Sequence, residues 1–294
     1  MKSVPQTYTY KVVENCEIKA EVHRPSGGAV GPVIVWIHGG ALIAGHRGDL
    51  RDDQRDLYLK AGYAVVSIDY RLAPETKLPA IVEDVQDAFR WVRQEGPLLF
   101  RIDPSRLAVV GHSAGGYLAL MAGFCVDPRP NALVSFYGYG DIAGRWYAGP
   151  DPFYSRLSPV SKEEAYAAVG RAPISEAEGW GERGRFYLYC RQNGLWCQEV
   201  VGHDPHTEPK WFDAFCPVRN VTKDYPPTLL LHGDQDTDVP YEQSVMVAEA
   251  LAAAGVEHEL ITIPGSGHGF DGSHVPSVAD VLTRVLTFLK RHLS

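Results

Sequence analysis

The sequence predicts an α/β fold: a mostly parallel eight-stranded sheet with helices on both faces and an inserted cap. Three observations predict it. Short continuous apolar runs recur along the chain, amphipathic stretches of helical period lie between them, and the alternation stops in one long aromatic-rich segment. Residues 7–14 and 16–23 open as a pair of strands, the second alternating Ile18, Ala20, Val22 against Glu17, Lys19, Glu21. VIVWI at 33–37 is apolar throughout, the pattern of a strand buried on both faces. A helix is expected at 51–61 and a strand at 64–70. In 79–95, Ile81, Val82, Val85, Ala88, Phe89 and Val92 recur at helical spacing, with Pro79 at the start, where proline is tolerated. Strand 107–111, helix 114–124 and strand 132–138 follow. After the interruption come strand 228–233, helix 241–254, strand 258–264 and a last helix at 275–292.

The interruption covers residues 139–216 and holds fourteen aromatic residues, four of them tryptophans. A structureless loop of that length is rare in a compact domain, so a small cap is expected here. The core is then 1–138 and 217–294. The cap aromatics either make their own minicore or line a substrate pocket, because loops at this edge of an α/β sheet emerge where ligands bind. Trp146, Tyr147, Trp196, Trp211 and Phe212 are the candidates for the pocket wall.

Composition narrows the function. The chain has 294 residues and a net charge of −8, which argues against nucleic acid or an anionic membrane as the main partner. No apolar run approaches the ~18 residues of a membrane span. MKSVPQTYTYKVVE at the N-terminus lacks the apolar core of a signal peptide. The five cysteines are in no metal-ligand spacing, so reduced thiols and a cytoplasmic location are expected. The oligomeric state is not set by these patterns, and a homo-oligomer is compatible with them.

The sharpest motif is Gly111-His112-Ser113-Ala114-Gly115, directly after a strand and directly before a helix. This is G-x-S-x-G in its required context, a serine on a tight strand-to-helix turn. A serine hydroxyl is a weak nucleophile and needs a base that is itself oriented by an acid. The partners follow later in the chain, each beyond a strand. His268 lies in the glycine-rich loop after 258–263 and is expected as the general base. Asp234, Asp236 and Asp238 follow 228–233; Asp236 is favoured as the acid, with Asp234 and Asp238 read as loop-capping or solvated. D-x-D-x-D also opens a calcium loop, but Val239 and Val245 occupy the positions that need glycine and glutamate. His38-Gly39-Gly40-Ala41 follows strand 33–37, and the backbone N–H groups of Gly40, Ala41 and Ala114 are the expected oxyanion donors, with His38 bracing the loop.

With Asp69-Tyr70-Arg71-Leu72-Ala73-Pro74-Glu75, HGDQDTDVP at 232–240 and GHGF at 267–270, these motifs resemble the α/β-hydrolase superfamily. Within it they resemble the hormone-sensitive-lipase-like esterases and the BD-FAE and kynurenine-formamidase-like group. The resemblance runs in family order from 38 to 270. It implies a carboxylesterase whose acid is Asp236, with the 69–75 stretch and Asp84 architectural. Two departures stand out. In the first, Ala41 replaces the third glycine of HGGG and Leu42 stands where the formamidases carry tryptophan; the second is the long insertion at 139–216, where hormone-sensitive-lipase-like enzymes often build their cap from the N-terminus. The leading expectation is a serine hydrolase of short-chain or small aryl esters that needs no metal or cofactor. An amidase, formamidase or small exopeptidase would use the same residues, and a non-catalytic ligand receptor on this fold is the remote alternative.

Overall fold

The computed structural model describes residues 5–27, 29–178, 180–272 and 276–294. Eight strands form one sheet: β1 (Gln6–Val13), β2 (Cys16–His23), β3 (Gly31–Ile37), β4 (Ala64–Ile68), β5 (Ile102–His112), β6 (Ala132–Phe136), β7 (Thr228–Gly233) and β8 (His258–Ile263). Their order is β1-β2-β4-β3-β5-β6-β7-β8. β2 pairs antiparallel with β1 and β4, and every later pairing is parallel. This is the α/β-hydrolase fold expected from the strand pattern. The crossover from β3 to β4 runs one way along the sheet, and the one from β4 to β5 runs back past β3 the other way. The sheet therefore has its switch point at β3 and β5, where α/β folds open a crevice beyond the carboxyl ends of the strands.

The helices are α1 (Asp52–Lys60), α2 (Leu78–Leu99), α3 (Ala114–Cys125), α4 (Arg145–Ala148), α5 (Lys162–Ala167), α6 (Arg183–Asn193), α7 (Glu242–Ala253) and α8 (Pro276–Leu293). Strand side chains alternate between two cores. Val33, Val35 and Ile37 face α2, α3, α7 and the 139–216 segment, while Ile34 and Trp36 face α1 and α8. Both faces of β3 and β4 are covered, which is why their sequences are apolar without alternation.

Several boundaries differ from expectation, β4 ending at Ile68 among them. β5 begins at Ile102, despite Pro104, and α2 carries Pro97 in its last turn. β6 ends at Phe136 because Tyr137 takes φ 39°, turning the chain out of the sheet. Residues 139–216 fold into α4, α5, α6 and short 3-10 and π turns. Their aromatics are continuous with the core on the α2–α3 face.

Candidate active site

Ser113 stands between β5 and α3 with φ 55° and ψ −117°, a sparsely populated conformation for a side chain with a Cβ. Two glycines make the turn physically possible. A Cβ on Gly111 would lie 2.0 Å from the Gly115 carbonyl oxygen, and one on Gly115 would lie 2.0 Å from that of Ile37. The Ser113 N–H donates to the Phe136 carbonyl at 2.9 Å, fixing the strained residue to the neighbouring strand. Parallel pairing of Ile37 with Gly111 brings the turn after β3 beside the serine.

The loops after β7 and β8 bring up the other two groups. Nε2 of His268 is 3.0 Å from Ser113 Oγ, and Nδ1 is 2.7 Å from Asp236 Oδ2. Oδ1 of Asp236 accepts the N–H groups of Asp238 (2.8 Å) and Val239 (2.9 Å). Burial alone raises a carboxyl pKa, but bonds from His232, His268 and the loop backbone hold Asp236 well below the usual carboxylate range. Burial works against a charged His268, yet Asp238, then Asp236 and Asp271, raise its pKa above the ordinary imidazole value. A Ser–His–Asp relay of this geometry can activate the hydroxyl and hold the resulting imidazolium.

The turn after β3 carries three successive positive φ angles, at Gly40 (95°), Ala41 (54°) and Leu42 (65°). Its carbonyls are all engaged. Tyr70 donates to His38 and Gly39, Ile43 and Ala44 donate to Gly40, Trp196 to Ala41, Ala73 to Leu42 and Arg183 to Ile43. His38 braces the loop as expected. Its Nδ1 is 2.8 Å from the Gly39 carbonyl, its ring stacks on Tyr70 at 4.2 Å, and burial pushes its pKa down to about 4. Gly39 and Gly40 line the cavity beside Ser113. Ala41, the next residue of the turn, is 3% exposed. Ala114 is buried at the first position of α3, where helix geometry leaves its N–H without an intrahelical acceptor.

The cavity above Ser113 and His268 has a volume of about 660 Å³. The five aromatics expected on its wall lie elsewhere. Trp146 stacks on Tyr147 (3.6 Å) and Tyr147 on Trp196 (3.9 Å), while Trp211 stacks on His203 (3.9 Å) and Phe212 is fully buried. These rings pack on one another and on the α2–α3 side of the main core, forming neither a separate minicore nor the wall of this cavity. The segment instead lends the cavity Tyr154, Leu157, Trp180, Tyr187 and Leu188.

Asp238 also departs from expectation. Rather than solvated, its Oδ1 accepts from Tyr154 OH (2.7 Å), Tyr187 OH and Arg191 Nη1 (2.8 Å), and its Oδ2 lies 3.4 Å from His268 Nε2. Asp234 does cap its loop, accepting the Gly265 N–H at 2.7 Å. Asp84 is architectural, holding Arg71 Nε and Lys11 Nζ at 2.7 Å each. Also lining the cavity, Asp271 accepts from Gln54 (2.7 Å) and Tyr137 (2.6 Å) and sits 3.2 Å from His112. Among the described residues no three His, Cys, Asp or Glu side chains form a metal-holding group, and no described helix is long and apolar enough to cross a membrane.

Fold and site together define an α/β hydrolase. The BD-FAE family model matches residues 21–251, and the chain belongs to that family. The dienelactone hydrolase family model matches residues 216–293. Among solved structures, a Staphylococcus aureus protein of unknown function superposes with a TM-score of 0.79 at 22% identity, covering 99% of this chain and 100% of that one. An α/β-hydrolase superfamily protein from Enterococcus faecalis gives 0.77 at 22% identity, covering 98% and 99%. A propionate-bound esterase from Thermogutta terrifontis gives 0.68 at 23% identity, covering 98% and 94%. Curated relatives include a non-reducing polyketide synthase of Emericella nidulans, 29% identical over 98% of this chain. 5-Methylorsellinic acid synthase of Aspergillus terreus is 28% identical over 98%. This chain spans only 14% and 13% of those two proteins.

Proposed function

We propose that the protein hydrolyses carboxylic esters of small acyl or aryl groups through an acyl-enzyme on Ser113. The observation that carries this reading is the unbroken relay Asp236–His268–Ser113, at 2.7 and 3.0 Å, opening into a cavity partly walled by Leu157 and Leu188. Ser113 attacks the acyl carbon while His268 takes its proton and returns it to the leaving alcohol. Asp236 orients the ring and stabilises the imidazolium, and a water activated by His268 then releases the acid. The oxyanion is held by the N–H groups of Gly40, Ala41 and Ala114. Residues 139–216 act as a cap over the core of 1–138 and 217–294.

The test is kcat/KM for p-nitrophenyl acetate, butyrate, octanoate and laurate, with Ser113→Ala alongside. Serine-dependent turnover that peaks at short chains supports the reading. No turnover from folded protein, or turnover that survives Ser113→Ala, overturns it.

The match of nearly the whole chain to one segment of polyketide synthases favours a second reading, in which the acyl group arrives as a thioester. The triad chemistry is unchanged and only the leaving atom differs. Comparing an acyl thioester with the oxygen ester of the same acid separates the two.

A further inference from the structure

We infer that Asp238 is a second carboxylate of the triad histidine, a positioning residue that the cap holds against Nε2 of His268. The inference rests on His268 acting as the base of the proposed reaction. The imidazole then lies between two carboxylates: Asp236 Oδ2 at 2.7 Å from Nδ1 and Asp238 Oδ2 at 3.4 Å from Nε2.

The side chain of Asp238 is not free to leave that position. Its Oδ1 takes three bonds from the cap, from Tyr154, Tyr187 and Arg191, and its backbone carbonyl accepts from both Nη atoms of Arg191 at 3.1 Å. Arg191 is 1% exposed and is shared with Asp151, whose Oδ2 is 2.6 Å from Nη2. One guanidinium therefore serves two carboxylates, leaving the cluster one negative charge in excess. Of that cluster, Asp238 lines the cavity, while Arg191 and Asp151 do not.

The groups facing His268 from the surrounding elements act in one direction. Asp236 and Asp238 come from the loop after β7. Asp271 comes from the turn following His268, with its charge shared among His112, Gln54 and Tyr137. The Tyr137 ring meets the imidazole edge-on at 4.6 Å, and Ser113 faces it from the head of α3. Arg51, beyond Asp271, is tied to Asp53 at 2.7 Å. Three anions outweigh the burial that opposes a charged ring.

Asp238 differs from Asp236 in its place. It stands on the nitrogen that takes the serine proton and passes it to the leaving group. Stabilising an imidazolium there has two opposed effects. The resting ring stays protonated, and so inactive, to a higher pH. Once deprotonated, it is a stronger base whose charged form is favoured in the tetrahedral intermediate.

Asp238→Asn removes the charge while keeping an oxygen for Tyr154, Tyr187 and Arg191, and Asp151 still balances the guanidinium. The experiment is kcat/KM for p-nitrophenyl butyrate across about pH 5 to 9. The variant's acid limb should lie about one pH unit lower, with a several-fold lower alkaline plateau, so that the two profiles converge or cross. A plateau that falls while the limb stays in place assigns Asp238 a structural role and overturns the inference. A second measurement needs no turnover: NMR titration of the His268 ring in Ser113→Ala, with and without Asp238→Asn. A midpoint above the ordinary imidazole value of about 6.5 that drops on adding Asp238→Asn supports it. A midpoint below that value in Ser113→Ala alone overturns it, even if the double variant fails to fold. Absence of esterase turnover alone would count against the proposed function and leave this titration to decide on Asp238.

Discussion

Trp196 donates its indole N–H to the Ala41 carbonyl across 3.2 Å, so a buried ring of the 139–216 segment fixes the loop beside the nucleophile. That loop holds two non-glycine residues at positive φ, Ala41 and Leu42, each at a cost of about 1–2 kcal/mol. Strain of this kind persists only where the surroundings hold it. Trp196→Phe keeps most of the stacking on Tyr147 but leaves the Ala41 carbonyl without its donor, a loss of about 1–3 kcal/mol for a buried group. We expect kcat to fall about tenfold with KM changed less than about twofold, because the loosened loop serves the oxyanion more than the bound ester. Steady-state kinetics on p-nitrophenyl butyrate checks this; an unchanged kcat would separate that segment from the oxyanion loop.

Ser113→Ala and His268→Ala should each lower kcat by at least about 10³-fold, and the double variant should lose little more, since triad members act as a unit. Asp236→Asn should cost a comparable factor. Its amide cannot hold the Nδ1–H tautomer of His268 through the 2.7 Å contact. Circular dichroism establishes that each variant is folded. A folded single variant with less than tenfold loss would remove that residue from the relay.

The central strands β3, β4, β6 and β7 were legible because a strand buried on both faces must be apolar throughout, and β2 because it alternates. Ser113, Asp236 and His268 were legible because each sits at the end of a strand in a glycine-rich or polar turn. The beginning of β5 was hidden by Asp103, Pro104 and Ser105, which read as a loop. Asp238 was hidden for another reason. Its partners Tyr187, Arg191 and Tyr154 lie 51, 47 and 84 residues away, on a helix whose apolar residues do not recur on one face and on a short turn. Aromatic content announced a packed segment at 139–216 without saying which rings face inward. Trp146, Tyr147 and Trp196 chose each other over the cavity.

Acyl-chain preference should follow Leu157 and Leu188 rather than those rings. Both line the cavity, and both are aliphatic, so truncation enlarges it without leaving a polar atom unpaired. Leu188→Ala should raise the ratio of kcat/KM for octanoate over butyrate by about tenfold, the scale on which one or two methylenes are discriminated. Trp211→Phe should leave the ratio where it is. A shift with Trp211→Phe and none with Leu188→Ala would return the specificity wall to those rings.

Asp271 should make the protein sensitive to acid. Burial opposes its charge, but the His112 ring and the Tyr137 hydroxyl outweigh that and bring its pKa down to about 2, from 3.8 for an unperturbed aspartate. A carboxyl depressed in the folded state stabilises it at pH values above the unfolded pKa. That stabilisation is lost as pH falls through the folded value. The window is therefore about pH 4 down to pH 2, and the amount at stake is about 2 kcal/mol. Asp271→Asn removes this titration and also disturbs the bonds to Gln54 and Tyr137, so its stability at one pH decides nothing. The informative quantity is the gap between wild type and variant, measured by urea unfolding at about pH 5 and about pH 2.5. Groups not coupled to Asp271 titrate alike in both proteins and cancel from that gap. We expect it to shrink by about 1–2 kcal/mol at the lower pH. An equal gap at both would mean that the contacts of Asp271 act through its shape alone and that its charge adds nothing to the fold.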